Sequence, residues 1–182
     1  MSLDHLWAGW RSSYVSSVSD SDDGPPGAHK HSSEEDPSGP ARCVFCAIIA
    51  SAEEDQTLHV VARREHSIAI LNAYPYASGH LLVMPLRHLG DVSEMSDREY
   101  QELFLLAREA MQALERAYGP DGMNIGANFG RAAGAGIPRH LHLHVLPRWV
   151  GDTNFMTTVA SVRVMPEALD DSWRKLREAW PQ

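Results

Sequence analysis

Seven residues constrain this chain more than any others: His140-Leu141-His142-Leu143-His144-Val145-Leu146. Strict polar–apolar alternation is the period of a β-strand, whose successive side chains face opposite ways. The pattern predicts a strand over 140–146 with three imidazoles on one face and Leu141, Leu143 and Val145 entering the core. Same-face neighbours lie about 6.6 Å apart, so two of the rings can serve one pocket. Neutral imidazole is a competent nucleophile near pH 7. A ring whose far nitrogen donates to a carbonyl has its tautomer set and its attacking lone pair aimed. His142, at the centre, is best placed for that task, while half-buried structural histidines or a plain metal-binding strand are the alternatives.

The rest of the chain supplies the frame. Short apolar runs at 58–62, 67–71, 80–84 and 124–128 read as further strands, the second and third joined through the Pro75 and Gly79 turn. Ser96 with Glu99 three residues on is a capping box, and Gly119-Pro120 is a stop signal. Between them Tyr100, Leu103, Phe104, Ala107, Ala110, Met111, Leu114 and Ala117 form the predicted buried stripe of a long helix. Leu169, Trp173, Leu176 and Trp180, at spacings of four, three and four, predict a closing helix. The expectation is an α+β fold: an antiparallel sheet of about five strands with one long helix and a C-terminal helix.

Domain organisation follows from composition. Residues 16–40 are Ser, Asp, Gly, Pro and Glu with almost nothing to bury, and are expected to form a flexible acidic linker. Residues 1–15 hold Leu6, Trp7, Trp10 and Tyr14, too aromatic for a tail, and are expected to dock on the body formed by 41–182. The formal charge is −8, but the linker carries six acids against Lys30 alone, a net of −5, leaving about −3 elsewhere. That value excludes a nucleic-acid-coating surface without excluding a phosphate pocket. Lys30 and Lys175 are the only lysines, so such a pocket must use arginine, histidine and backbone N–H groups. The absence of a long apolar run and of a leader-like start predicts a soluble, cytoplasmic protein without membrane contact.

Two further motifs carry chemistry. The stretch Asn128-Phe129-Gly130-Arg131-Ala132-Ala133-Gly134-Ala135-Gly136 lies just upstream of the histidines. Alone it reads as a hairpin turn. Beside three same-face imidazoles it reads as a loop whose backbone N–H groups, at Gly134 and Gly136 among others, face an anion. Cys43-Val44-Phe45-Cys46 contains both cysteines. A C-x-x-C pair is half of a tetrahedral zinc site, so histidines must complete any metal set; a redox dithiol or two buried thiols are the other readings.

Taken together these residues resemble the histidine-triad (HIT) family. The longer branch, which includes dinucleoside polyphosphate hydrolases and phosphorylases and the fragile-histidine-triad group, is matched by Leu71-Asn72-Ala73-Tyr74-Pro75-Tyr76, Gly79-His80-Leu81-Leu82-Val83-Met84-Pro85, Asn124-Ile125-Gly126-Ala127-Asn128, and Pro147-Arg148-Trp149-Val150-Gly151-Asp152-Thr153-Asn154-Phe155-Met156. Leu6 to Arg11 is similar to that branch's opening. The resemblance implies a HIT-like fold, a nucleotide substrate, a homodimer, and a reaction in which His142 attacks an α-phosphate to give a nucleotidyl-histidine resolved by water or phosphate. It implies His144 at the reacting phosphate, His80 as a supporting histidine, Asn72 at a ribose and Asn128 at a phosphate. It also implies a structural zinc held by Cys43, Cys46, His88 and His140, as in one subset of the family. No catalytic metal is required, which leaves room for magnesium arriving with the substrate's phosphates. One departure stands out: where many relatives carry Gln and Ser or Thr before the triad, this chain has Gly136 and Ile137. A nucleoside phosphoramidase and a nucleotide-sensing protein without turnover are the competing functions.

Overall fold

A computed structural model describes residues 39–152 and 167–181. The expected docking segment, nearly all of the linker and the Thr153-Asn154-Phe155-Met156 part of the family motif lie outside them. The elements are α1 (Val44–Ala50), β1 (Val60–Arg63), β2 (Ser67–Leu71), β3 (Leu81–Pro85), α2 (Asp97–Tyr118), β4 (Gly122–Gly126), β5 (Leu143–Arg148) and α3 (Leu169–Ala179). The strands form one antiparallel sheet in the order β1-β2-β3-β5-β4, as the α+β reading predicts.

The pleat divides the sheet's side chains between two apolar clusters. Ala69, Leu71, Leu81, Val83, Leu143 and Val145 point to one face, where they pack with Leu103, Leu106, Ala107, Ala110, Leu114 and Leu176 from α2 and α3. Ile68, Ile70, Leu82 and Met84, one residue out of step, point to the other face and meet Cys43, the N-cap of α1, and Phe45 in its first turn. His144 pairs with Leu82 across the ladder and so shares the α1 face. The sheet thus separates a structural side under the long helices from a side that carries histidines.

The capping box of α2 is present, with Ser96 Oγ accepting from the Glu99 N–H and the Glu99 carboxylate accepting from the Ser96 N–H, and Gly119 closes the helix in the left-handed conformation. The stripe differs from expectation. Tyr100 and Phe104 are 45% and 44% exposed, whereas Leu106 and Ala113 are buried. Helical spacing alone cannot distinguish two overlapping apolar stripes; the sheet selects the one whose small residues allow close approach. The residues expected of the closing helix do pack against this core: Leu176 is fully buried, and Leu169, Trp173 and Trp180 are partly so.

Three strands are displaced along the sequence, β1 starting at Val60, two residues late. β5 starts at Leu143, because the main chain at 140–142 bends away and Leu141 N–H donates to the Leu89 carbonyl at 2.7 Å. Of the three histidines only His144 lies in the ladder, although Leu141, Leu143 and Val145 all reach the core as expected. β4 ends at Gly126, two residues early. Helix α1 is absent from the sequence reading; at seven residues it is too short to show a full amphipathic repeat. At the other edge, a bulge between Val60 and Ala62 coincides with Val60 and Val61 carbonyls that accept from Trp173 Nε1–H at 2.7 Å and from Arg177 at 2.8 Å, tying α3 to β1.

Gly79, in the turn before β3, has φ +77°. A Cβ there would lie 2.8 Å from the Tyr118 ring and 2.9 Å from Leu114, so only glycine lets this turn seat on α2 and aim the following His80 inward.

Candidate active site and metal centre

Cys43 and Cys46 sit at the start and in the first turn of α1, His88 follows β3, and His140 precedes β5. The two histidine-bearing loops are stitched together by the Leu141 N–H to Leu89 carbonyl bond and by Gly90, where a Cβ would come within 2.9 Å of the Pro138 carbonyl. His140 Nδ1 lies 3.4 Å from Cys43 Sγ and 3.5 Å from Cys46 Sγ, and His88 Nδ1 lies 3.2 Å from Cys46 Sγ. The four candidate donor atoms fall within 4.8 Å of one another. Tetrahedral zinc, with Zn–S near 2.3 Å and Zn–N near 2.0–2.1 Å, requires sulfur-to-nitrogen edges of about 3.6 Å. The observed spacings lie close to that value.

The donor chemistry fits a metal as well as the spacing does. His140 Nε2–H donates to the Pro85 carbonyl at 2.9 Å, which leaves the Nδ1 lone pair facing the sulfurs, the usual outer-shell arrangement of a metal-ligating histidine. Burial, followed by hydrogen bonding to and repulsion from Cys43, pushes the Cys46 thiol up to about 11. Two adjacent thiolates need a cation between them to ionise together. The cysteines form no disulfide.

His142 is 7% exposed, and its Nδ1 lies 2.8 Å from the main-chain carbonyl of His140. A carbonyl can only accept, so Nδ1 carries the proton and Nε2 keeps its lone pair. Burial holds the ring's pKa below the ordinary histidine value, against the opposing pull of the His140 carbonyl. At neutral pH His142 is therefore an uncharged imidazole in the tautomer an Nε2 nucleophile requires.

A second chain of bonds sets the neighbouring rings. Tyr76 backbone N–H donates to His80 Nδ1 at 3.0 Å, with Asn72 Nδ2 a further 3.3 Å contact at the same nitrogen. His80 therefore carries its proton on Nε2 and donates it to His144 Nδ1 at 2.9 Å. Neutral His144 must then bear its proton on Nε2, as a donor. Burial, with repulsion from His142 second, lowers the His144 pKa to about 4, so this donor is neutral through physiological pH. The ring centroids of His142 and His144 are 5.1 Å apart, and Tyr76 stacks on His144 at 5.8 Å and 14°. The ring that keeps an Nε2 lone pair and the ring that carries an Nε2–H are thus neighbours.

Asn72 spends its Oδ1 on the Tyr74 N–H at 3.0 Å as well as contacting His80, so it shapes the turn that feeds the site. Asn128 reaches the Gly134 carbonyl at 3.5 Å. The glycine loop closes as a short 3-10 turn in which the Gly134 and Ala135 N–H groups donate to the Arg131 and Gly130 carbonyls. Those two N–H groups point into the turn. Gly136 and Ile137 instead line a cavity of about 220 Å³ together with Arg42, Arg131 and Arg139.

The site also uses residues that sequence reasoning did not single out. The Phe45 ring meets both His140 and His142 edge-on, at 5.4 and 5.2 Å. The Pro85 carbonyl and the Tyr76 N–H fix tautomers. Main-chain partners leave no signature in side-chain pattern, and Phe45 becomes visible only when α1 is packed on the sheet.

The structure is an α+β fold in which one five-stranded antiparallel sheet carries a cluster of buried, hydrogen-bonded histidines. A HIT domain matches residues 53–150, and the chain belongs to the HIT family, made up of nucleotide hydrolases and transferases. Among curated proteins it is 34% identical over 178 residues to the AP-4-A phosphorylase of Mycobacterium tuberculosis, a match covering 98% of this chain and 85% of that protein. Among solved structures it is similar to a Zn-bound histidine triad family protein from Mycobacterium smegmatis (31% identity, TM-score 0.63, covering 78% of this chain and 94% of that one). A hypothetical histidine triad nucleotide-binding protein from Sulfolobus tokodaii gives 31% identity and a TM-score of 0.62, covering 75% and 91%.

Proposed function

We propose that this protein cleaves dinucleoside polyphosphates such as diadenosine tetraphosphate at an α-phosphate, with His142 as the nucleophile. The observation that carries the proposal is the His142 Nδ1–H bond to the His140 carbonyl, beside the His144 donor. The Nε2 lone pair forms a bond to the α-phosphorus as the bridging oxygen–phosphorus bond breaks and the remaining nucleotide departs with the bonding electrons. The ring gains positive charge as this happens, and its Nδ1–H bond to a carbonyl strengthens. His144 Nε2–H stabilises charge on the transferring group, and His80 holds His144 in register. Water or inorganic phosphate then attacks phosphorus, and the imidazole leaves as a neutral group. Water yields a nucleoside monophosphate, and phosphate yields a diphosphate. The AP-4-A phosphorylase relative supports this substrate class and favours phosphate as acceptor.

Cys43, Cys46, His88 and His140 would hold a structural zinc, closed to substrate by its four protein ligands. Two unpaired cysteines suit a reducing compartment, in keeping with a cytoplasmic protein. Among the described residues no helix is long and apolar enough to cross a membrane. A homodimer is supported by the exposed Tyr100, Phe104 and Leu105 on α2 and by edge strand β4, where Ile125 is 47% exposed.

The test is product analysis with labelled diadenosine tetraphosphate, with and without phosphate, on the wild type and on His142→Ala. Wild-type turnover should leave a trappable nucleotidyl-protein adduct, and His142→Ala should lose turnover while retaining nucleotide binding. A variant that still turns over removes His142 from the role.

A further inference from the structure

We infer that Phe45 is a positioning residue for His142, and that the cysteine–histidine cluster holds the ring in its attacking orientation through two links. The inference rests on the reading of His142 as nucleophile. Phe45 is 6% exposed and lies between Cys43 and Cys46 in sequence, so its backbone is fixed by whatever holds those sulfurs. Its ring stands edge-on to His140 at 5.4 Å and 83°, and to His142 at 5.2 Å and 64°. Edge-to-face contacts of this kind restrict ring rotation as well as burying area.

The second link is the main chain. The carbonyl that accepts the His142 Nδ1–H belongs to His140, whose own ring is fastened at both nitrogens, with Nδ1 toward Cys43 and Cys46 and Nε2–H on Pro85. A residue that is a ligand by its side chain is thus an acceptor by its backbone. Both constraints on the nucleophile, one through a ring edge and one through a carbonyl, originate in one cluster that does not touch the reacting atoms. Orientation errors of about 1 Å cost on the order of a hundredfold in rate, so such a brace matters to chemistry and not only to folding.

Phe45→Met tests this, since methionine keeps most of the volume and loses the ring. Three quantities are read at fixed neutral pH: kcat and KM for diadenosine tetraphosphate, metal per chain, and the ¹⁵N signature of the His142 ring. The expected result is kcat down about tenfold, KM changed by less than about threefold, metal retained, and the two ring nitrogens of His142 averaging toward each other. Wild-type protein stripped with chelator, checked for retained fold by circular dichroism, should show the same ring averaging without any activity being measured; it carries the test alone if Phe45→Met does not fold. Unchanged kcat with an unchanged ring signature in the variant, or an unchanged signature in metal-free wild type, overturns the inference. If His142→Ala is inactive while Phe45→Met is fully active, the inference alone fails. If His142→Ala is active, the nucleophile reading fails, and the ring spectrum still reports whether Phe45 orients it.

Discussion

Removing the metal should cost this fold a large part of its stability, and the size follows from how the cluster is threaded. His88 lies 42 residues beyond Cys46, and His140 lies 94 beyond it, so one ion would close successive loops of 42 and 52 residues. In the chain-entropy description each closure is worth about 4 kcal/mol, or about 8 kcal/mol together as an upper bound. Strain, residual structure in the unfolded chain and metal binding to unfolded cysteines reduce the realised value to about 4 kcal/mol. That is substantial against the roughly 5–15 kcal/mol of a typical domain, and at this chain length it lowers the melting temperature by roughly 8–16 °C. The assay is calorimetry of the protein as isolated without chelator, after chelation, and after zinc is restored, with metal content measured each time. Cys46→Ser, which removes the sulfur that lies within 3.5 Å of both histidines, should resemble the chelated form. A melting temperature that stays within about 2 °C after verified metal loss refutes the cross-link argument, and protein isolated with no metal removes its premise.

Two other perturbations test the frame. Arg87 Nε and Nη2 donate to the two Glu99 oxygens at 2.9 and 3.0 Å and, with the Ser96 N–H, hold the Glu99 carboxyl down to about 2. A lowered carboxyl pKa adds stability that is complete above about pH 4.5 and lost as pH falls toward 2; full value would approach about 3 kcal/mol, which screening at the exposed Arg87 reduces to about 1 kcal/mol. Glu99→Gln should therefore be about 1 kcal/mol less stable in urea at pH 7, with the gap closing on acidification; an equal gap at pH 3 and pH 7 would show that charge is not its source. Gly79→Ala combines a positive φ with a Cβ 2.8 Å from Tyr118, and should lower stability by about 2 kcal/mol in thermal melts and slow turnover by displacing His80. Wild-type stability in that variant would mean the turn relaxes freely.

Much of the architecture was legible in the chain. The α2 caps were readable because capping is local: Ser96, Glu99 and Gly119 act within one helical turn of the ends they close. The apolar alternation of 141, 143 and 145 survives although the strand itself begins later, since side-chain direction persists through an extended segment that pairs with a loop. The metal set was reached by resemblance joined to the cysteine pair, and the fold brings those four residues together. Helix α1 is not legible, because seven residues give too little periodicity, and Tyr100 and Phe104 read as core residues because a helix can carry two apolar stripes while its sequence does not say which one the sheet covers.

Residue order alone determined that three imidazoles would alternate with core leucines and that two thiols would need histidine partners to bind metal, because periodicity and ligand chemistry are properties of short segments. Which nitrogen of each ring holds its proton was decided only by the tertiary structure. The His140 and Pro85 carbonyls and the Tyr76 N–H are generic backbone groups, present at nearly every residue, and they acquire chemical meaning only where folding brings them within hydrogen-bond reach of an imidazole.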